Sequence, residues 1–257
     1  MIRLKHILAE LTSAEARRYY TYSMDLDSDA PSYHPSDYLT QIAAQLGETV
    51  SGGMLGSGAY GVAYPLASGR VLKLTTDKTE IATAAHFRTR RKTRHIMSYY
   101  DVRPILPRAE YHQWFAILMD RVTPLTTTQQ EWWQNGTYFH ADYTDAQCRN
   151  VLIRSPWIEA KTPEFYRFVD TIIGQRQAVR QAVRSFGVNT FEAHDENVGF
   201  DSNGYFTIFD MWSTRADTTA AAIASFRKML KPIDLTPYLD QPQPDASGID
   251  TPNNPDM

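Results

Sequence analysis

The sequence predicts a mixed α+β fold, a small antiparallel sheet followed by a largely helical region. Three observations predict it. Short apolar runs separated by Gly-rich and Ser-Gly turns occupy residues 50–74, the spacing of antiparallel strands. A long apolar stripe of Phe165, Phe168, Val169, Ile172, Ile173, Val179, Ala182, Val183 and Phe186 then recurs at three- and four-residue steps, the period of an amphipathic helix. A second hairpin follows, with Asp201-Ser202-Asn203-Gly204 as its turn.

Taken in order, Leu4, Ile7, Leu8 and Leu11 share a helical face, and Ser13-Ala14-Glu15-Ala16 opens a second segment. Asp25 to Pro35 is a polar break. A third helix over Ser36 to Leu46 carries Tyr38, Leu39, Ile42 and Ala43, with Gly47 as its stop. These make residues 1–48 a helical extension. Strands at Val50–Leu55, Gly61–Leu66 and Arg70–Leu74, a helix over Thr79–Met97 and a buried strand at Trp114–Met119 place the first lobe at 49–122. Thr123 to Trp157 shows no clean period. Pro163 suits the first turn of the long helix, and Gly187 follows its end. Arg167, Arg176, Arg180 and Arg184 lie mostly off its apolar stripe. A last helix over Asp217–Leu230 completes a second lobe at 123–239, and residues 240–257, rich in Pro, Asp and Asn, read as a disordered tail.

Composition narrows the function classes. The 257 residues carry 26 basic and 29 acidic side chains, a net charge of −3, which argues against a general nucleic-acid or membrane binder. The basic run Arg88-Thr89-Arg90-Arg91-Lys92-Thr93-Arg94 reads as a solvated helix face before an RNA contact. Cys148, the one cysteine, cannot close an internal disulfide, which fits a reducing cytoplasm, and it reads as structural. Met1 to Leu8 has no long apolar run, so neither a signal peptide nor a membrane anchor is expected. No His/Cys spacing points to zinc.

The chemistry concentrates in two blocks. In Gly56-Ser57-Gly58-Ala59-Tyr60-Gly61-Val62-Ala63, glycines let backbone amides approach phosphates without a side chain in the way. The block precedes a strand, unlike a Rossmann loop, and lacks the Gly-Lys-Ser/Thr ending of a Walker loop. It also fits a plain hairpin connector. Lys73, within Val71-Leu72-Lys73-Leu74, is a strand lysine flanked by apolar residues; pointing inward, its ammonium needs a counter-charge. Glu80 is the acidic residue between Asp77 and Asp101 and the candidate partner, though a first-turn Glu also suits the helix dipole. In the second block, Phe191 to Phe200, Glu192 precedes Asn197 by five positions, and the hairpin then leads to Asp210. Asn197 and Asp210 offer oxygen ligands for a hard cation such as Mg²⁺, and the hairpin brings them to one end. As an ordinary surface hairpin, the same Asn and Asp would be turn caps.

Together these residues resemble a protein-kinase-like fold and, more narrowly, the early serine/threonine protein kinases of podoviruses related to the seventh T-series coliphage. Met54 to Tyr64 with Arg70 to Lys73 is similar to that family's Gly-rich loop and lysine strand. Phe191 to Asn197, with Asn203-Gly204 and Ile208-Phe209-Asp210, is similar to its catalytic loop and metal-binding hairpin. The resemblance implies an N-terminal sheet with one helix, a hinge near Asp120-Arg121-Val122 and a helical C-terminal lobe. It implies ATP and Mg²⁺ as cofactors, with Gly56, Ser57, Gly58, Ala59, Tyr60, Gly61, Lys73, Asp120 and Val122 binding nucleotide and Asn197 and Asp210 holding metal. It also implies Glu192, Lys73 and Glu80 as the catalytic set, and host proteins, such as transcription and RNA-processing factors, as substrates in the host bacterial cytoplasm.

The chain departs from that pattern. Glu192 stands where the catalytic Asp is usual, Met211-Trp212 follows Asp210 in place of Phe-Gly, and no Ala-Pro-Glu segment appears. A positioned general base contributes about 10²–10⁴-fold, so the extra methylene of Glu192 bears on rate rather than on nucleotide binding. Two other classes share the motif order: a pseudokinase that binds ATP and Mg²⁺ and acts on a host partner, and a small-molecule phosphotransferase of the aminoglycoside type. Ser213, Thr214, Thr218 and Thr219 follow Asp210 closely enough for autophosphorylation.

Overall fold

The computed structural model describes residues 33–58, 60–88, 92–109, 113–134, 143–158, 161–186, 197–209 and 231–239. The chain is mixed α+β, and among the described residues it has a six-stranded sheet, a three-stranded sheet and helices. It divides into two compact units. One holds the described residues that fall within 33–81, 101–118 and 231–239; the other holds those that fall within 82–100 and 119–209.

The first unit is built on the larger sheet. Strands β1 (Gly56–Gly58), β2 (Gly61–Pro65), β3 (Arg70–Thr75), β4 (Tyr99–Leu106), β5 (Phe115–Asp120) and β9 (Ile233–Asp234) lie in the order β1-β2-β3-β5-β4-β9. β1–β2 and β2–β3 are antiparallel, as the Gly and Ser-Gly turns predict. Leu72 and Leu74 of β3 are wholly buried, with Ile105 and Ile117. The expected strand at Val50–Leu55 is not one. The Gly52-Gly53 pair bends the chain, glycine being costly to order in a strand. Val50 makes only an isolated bridge to Leu66, and the strand proper is the Gly-rich segment itself.

A 3₁₀ turn at Pro35–Tyr38 leads into α1 (Leu39–Gln45). His34 caps it, accepting from Ser36 N while Asp37 accepts from His34 N. Gly47 takes the left-handed φ of +73° expected of its stop. Helix α1 belongs to the first unit: Ile42 and Ala43 are buried, and the Gln45 amide exchanges hydrogen bonds of 2.8 and 3.0 Å with the Asp234 backbone. Residues 231–239, expected in the second lobe, thus join the first unit, β9 pairing parallel to β4 ahead of the short α6 (Thr236–Leu239). The expected helices before residue 33 and at Asp217–Leu230 lie outside the described residues.

Helix α2 (Lys78–Phe87) starts as expected but ends ten residues early. Residues 95–97 instead pair with β8 (Phe206–Ile208), through an Ile96–Ile208 bridge and Met97 N donating to Ile208 O. Of the basic run, the described residues Arg88, Lys92 and Arg94 lie beyond the end of α2. Lys92 lies 4.1 Å over the Tyr100 ring and Arg94 4.6 Å over Tyr205. Among the described residues no helix is long and apolar enough to cross a membrane.

The second unit holds β6 (Thr123–Pro124), β7 (Val198–Phe200) and β8 in one antiparallel sheet, with α3 (Thr127–Gln134), α4 (Asp145–Arg154) and α5 (Pro163–Phe186). The α5 stripe buries Phe165, Phe168, Val169 and Ile172 as its period predicts. Trp132 and Trp133, in the stretch without clean period, are buried too: Trp132 meets Phe165 and Phe168, and Trp133 meets Phe206 at 4.9 Å. Arg176 departs from the sequence expectation. It is wholly buried, donating to Asp145 Oδ1 at 2.7 Å and to the Tyr143 carbonyl at 2.8 Å. Cys148 is buried, which pushes its thiol pKa up and makes it a packing residue.

Candidate functional site

In the first unit the Gly-rich hairpin, Lys73 and Glu80 come together. The β1–β2 register, Gly56↔Ala63, Ser57↔Val62 and Gly58↔Gly61, makes the segment a tight hairpin with Tyr60 in its turn. Ala59 lies outside the described residues. A Cβ added at Gly56 or Gly58 meets nothing within 4 Å, so the hairpin presents bare backbone to open space. Gly61 is glycine for another reason: a Cβ there would collide with the Leu74 carbonyl and come 3.1 Å from Thr75 Cβ. β2 therefore lies close against β3.

Lys73 pairs directly with Ala63, and Thr75 with Gly61. Directly opposed residues share a sheet face, so Lys73, Thr75 and the Gly61–Ala63 edge present one face together. On that face Lys73 Nζ lies 2.6 Å from Glu80 Oε1, with 18% and 5% of the two side chains exposed. Lys73 thus points inward to a counter-charge, in surroundings where ion pairs are screened far less than on the surface.

Asp77 places Glu80. Its carboxylate accepts from Thr79 N at 2.8 Å and Glu80 N at 3.3 Å, an N-cap on α2. The Asp77-x-x-Glu80 spacing carries that capping signal in the sequence. Thr75 was not legible as a site neighbour. Its buried hydroxyl donates to the Tyr60 carbonyl at 3.2 Å and accepts from Asp77 N at 3.1 Å.

The other sequence-predicted residues fall in the second unit. Asn197 directly precedes β7, and its carbonyl accepts from Phe209 N at 2.9 Å. The hairpin register therefore continues to an Asn197–Phe209 pairing, and Asp210 is next in sequence. Asp210 and Glu192 lie outside the described residues, as do His194, Ser213, Thr214, Thr218 and Thr219. Asp120 ends β5; its carboxylate accepts from Ser98 N at 3.2 Å and from the Tyr100 hydroxyl, which also meets Lys92 Nζ at 2.5 Å. Val122 packs beside the Asn197 hairpin, its Cγ1 being 3.0 Å from where a Gly199 Cβ would stand, and β6 pairs there through Pro124↔Gly199.

His95 is the buried titratable group the sequence did not single out. It has a left-handed φ of +72°, and its Nδ1–H donates to the Phe206 carbonyl at 2.8 Å. Burial, the larger influence, lowers its pKa against the opposing pull of that hydrogen bond.

A cavity of about 420 Å³, open to solvent, lies on the other face of the hairpin from Lys73. Its walls include His34, Met54, Tyr60, Tyr64 and Trp114. Val62 and Tyr64 line it, and they alternate with Ala63 along β2.

No family model matches the chain, and no curated protein does. Among solved structures it is similar to the crystal structure of Rad53 1-466 in complex with AMP-PNP, at 10% identity and a TM-score of 0.36. The match covers 63% of this chain and 38% of that one, so the chain spans well under half of that protein's length. A likeness of that size leaves the meaning of the site to its own geometry.

Proposed function

We propose that this chain is an ATP-dependent protein kinase whose phosphate-binding half is the Gly56–Gly61 hairpin with Lys73. The carrying observation is the 2.6 Å Lys73–Glu80 pair on the face where the hairpin meets β3. A plain hairpin connector needs neither an inward lysine nor a carboxylate set to receive it. The unobstructed backbone at Gly56 and Gly58 fits phosphate oxygens, which backbone amides bind where no side chain intervenes.

In this reading Lys73 holds the α/β-phosphates and Glu80 fixes its ammonium. Asn197 and Asp210 are the oxygen donors for Mg²⁺, and Asp120 and Val122 are the remaining nucleotide contacts. Bound Mg-ATP supplies the γ-phosphoryl group and the positive charge that offsets its oxygens. Glu192 accepts the proton of the attacking hydroxyl. Serine and threonine as acceptors, host proteins as substrates and a phage origin with action in the host cytoplasm rest on the sequence resemblance alone.

Glu192 in the place of an Asp favours a second reading, a pseudokinase that binds Mg-ATP without transfer. Radiolabelled ATP with purified protein separates them, with Lys73→Met and Asp210→Ala as controls. Label incorporated by the natural chain and lost in both variants supports the kinase. Equal incorporation in all three overturns it. Thermal stabilisation by Mg-ATP with no incorporation moves the site to the pseudokinase.

A further inference from the structure

The Gly-rich hairpin and the Lys73–Glu80 pair are joined by a chain of hydrogen bonds. At the hairpin tip the Tyr60 carbonyl accepts from the Thr75 hydroxyl at 3.2 Å and from Thr76 N at 2.9 Å. The Thr75 hydroxyl in turn accepts from Asp77 N at 3.1 Å. Asp77 Oδ1 receives Thr79 N and Glu80 N, and Glu80 forms the ion pair with the Lys73 ammonium. Thr75 is fully buried, and its Cβ sits 3.1 Å from the position a Gly61 Cβ would take, so β3 lies close against the hairpin there.

A β3 residue at this elbow could satisfy its backbone without any side-chain hydroxyl. A threonine here instead spends both its donor and an acceptor on two different elements. We infer that Thr75 and Asp77 are positioning residues that lock the height of the Gly-rich hairpin to the Lys73–Glu80 pair, so that backbone amides and ammonium meet the same phosphates at once. The inference rests on the nucleotide reading above. Neither residue touches the phosphates: Thr75 acts through the Tyr60 carbonyl and Asp77 through the start of α2. The coupling matters because two phosphate-binding groups gain from each other only when their spacing is set before the ligand arrives.

The test is a double-mutant cycle on full-length chain, read as Mg-ATP affinity by calorimetry, with amide exchange of the hairpin as a nucleotide-free measurement. Thr75→Val keeps the shape and removes both hydrogen bonds; Asp77→Ala removes the cap. Each is expected to weaken Mg-ATP about five- to tenfold, roughly the worth of one hydrogen bond. The double variant is expected to be no weaker than the worse single one, because both break the same chain. Thr75→Ser, which keeps the hydroxyl, is expected to restore affinity. In the absence of nucleotide, Thr75→Val is expected to speed exchange both at residues 56–62 and at residues 79–81. Fully additive losses, or an unchanged affinity in Thr75→Val, overturn the inference while leaving the nucleotide reading standing. A natural chain that binds no Mg-ATP overturns both.

Discussion

Arg176, wholly buried within the 24-residue α5, donates from Nη1 to Asp145 Oδ1 at 2.7 Å and so ties that helix to the first turn of α4. A second bond to the Tyr143 carbonyl, ahead of the Thr144 cap, fixes the entry of α4 as well. A guanidinium is suited to this, because its planar fork serves two acceptors in one orientation. Removing one member of a buried ion pair costs about 3–5 kcal/mol. Asp145 is partly exposed, so Asp145→Ala is expected at the low end of that range or below. Arg176→Lys is expected to destabilise too, since one ammonium cannot copy the fork. Urea unfolding at unchanged m-value checks both.

Lys73→Met keeps most of the buried stem and removes the ammonium. Transfer is expected to fall by about 10²-fold or more, the scale on which lost positioning acts in such sites. Glu80→Gln is expected to have a smaller effect, because the lysine charge remains while its fixing carboxylate is gone. Steady-state rates of the two variants, each with its melting temperature, measure this. Equal rates in the natural chain and Lys73→Met would remove Lys73 from the site.

Two glycines of the same hairpin are expected to respond differently. Gly61→Ala drives a Cβ into the Leu74 carbonyl, a backbone atom that cannot step aside cheaply, and is expected to cost about 1–3 kcal/mol. Gly58→Ala meets nothing within 4 Å and is expected to leave stability within about 0.5 kcal/mol. On the proposed nucleotide reading it is nevertheless expected to weaken Mg-ATP binding, because the methyl group would occupy the space assigned to phosphate. Thermal melts with and without Mg-ATP separate the two effects.

His95 makes stability depend on pH. Burial lowers its pKa in the folded chain, with Arg94 acting in the same direction, while the Phe206 hydrogen bond and Asp201 oppose them. The unfolded chain therefore takes up the proton first. The stabilisation from a neutral His95 is present above the ordinary histidine value of about 6.5 and is lost as pH falls from there toward the folded pKa. His95→Asn tolerates the left-handed backbone and is expected to flatten the pH dependence between pH 7 and pH 5. Denaturant midpoints across that window test it; an unchanged slope would assign the dependence to another group.

The sequence was most informative where one local rule acted alone. The α5 boundaries follow from Pro163, an unbroken stripe and Gly187, and nothing nonlocal competes with them. Strand β4 was missed because Asp101, Arg103 and Pro104 break its apolar pattern, and its charges are satisfied sideways, Arg103 Nε to Asp101 at 2.7 Å. The early end of α2 was equally hidden. Helix propensity extends through the basic run, but residues 95–97 gain more by pairing with β8, a strand over a hundred residues away in sequence. Within the site, Gly56–Gly61, Lys73 and Glu80 were legible because their spacing along one chain segment implies a hairpin, a strand and a helix start.

Sequence alone thus determined the α+β class, the long helix and both hairpins. Those features come from local backbone preference and periodicity, which are written in neighbouring residues. The tertiary structure decided which way Lys73 points, that Glu80 receives it, that Thr75 and Asp77 connect that pair to the hairpin tip, and that Arg176 is buried. Strand register and the burial of charge are settled by partners distant in the chain, and a charged side chain goes inside only where such a partner waits for it.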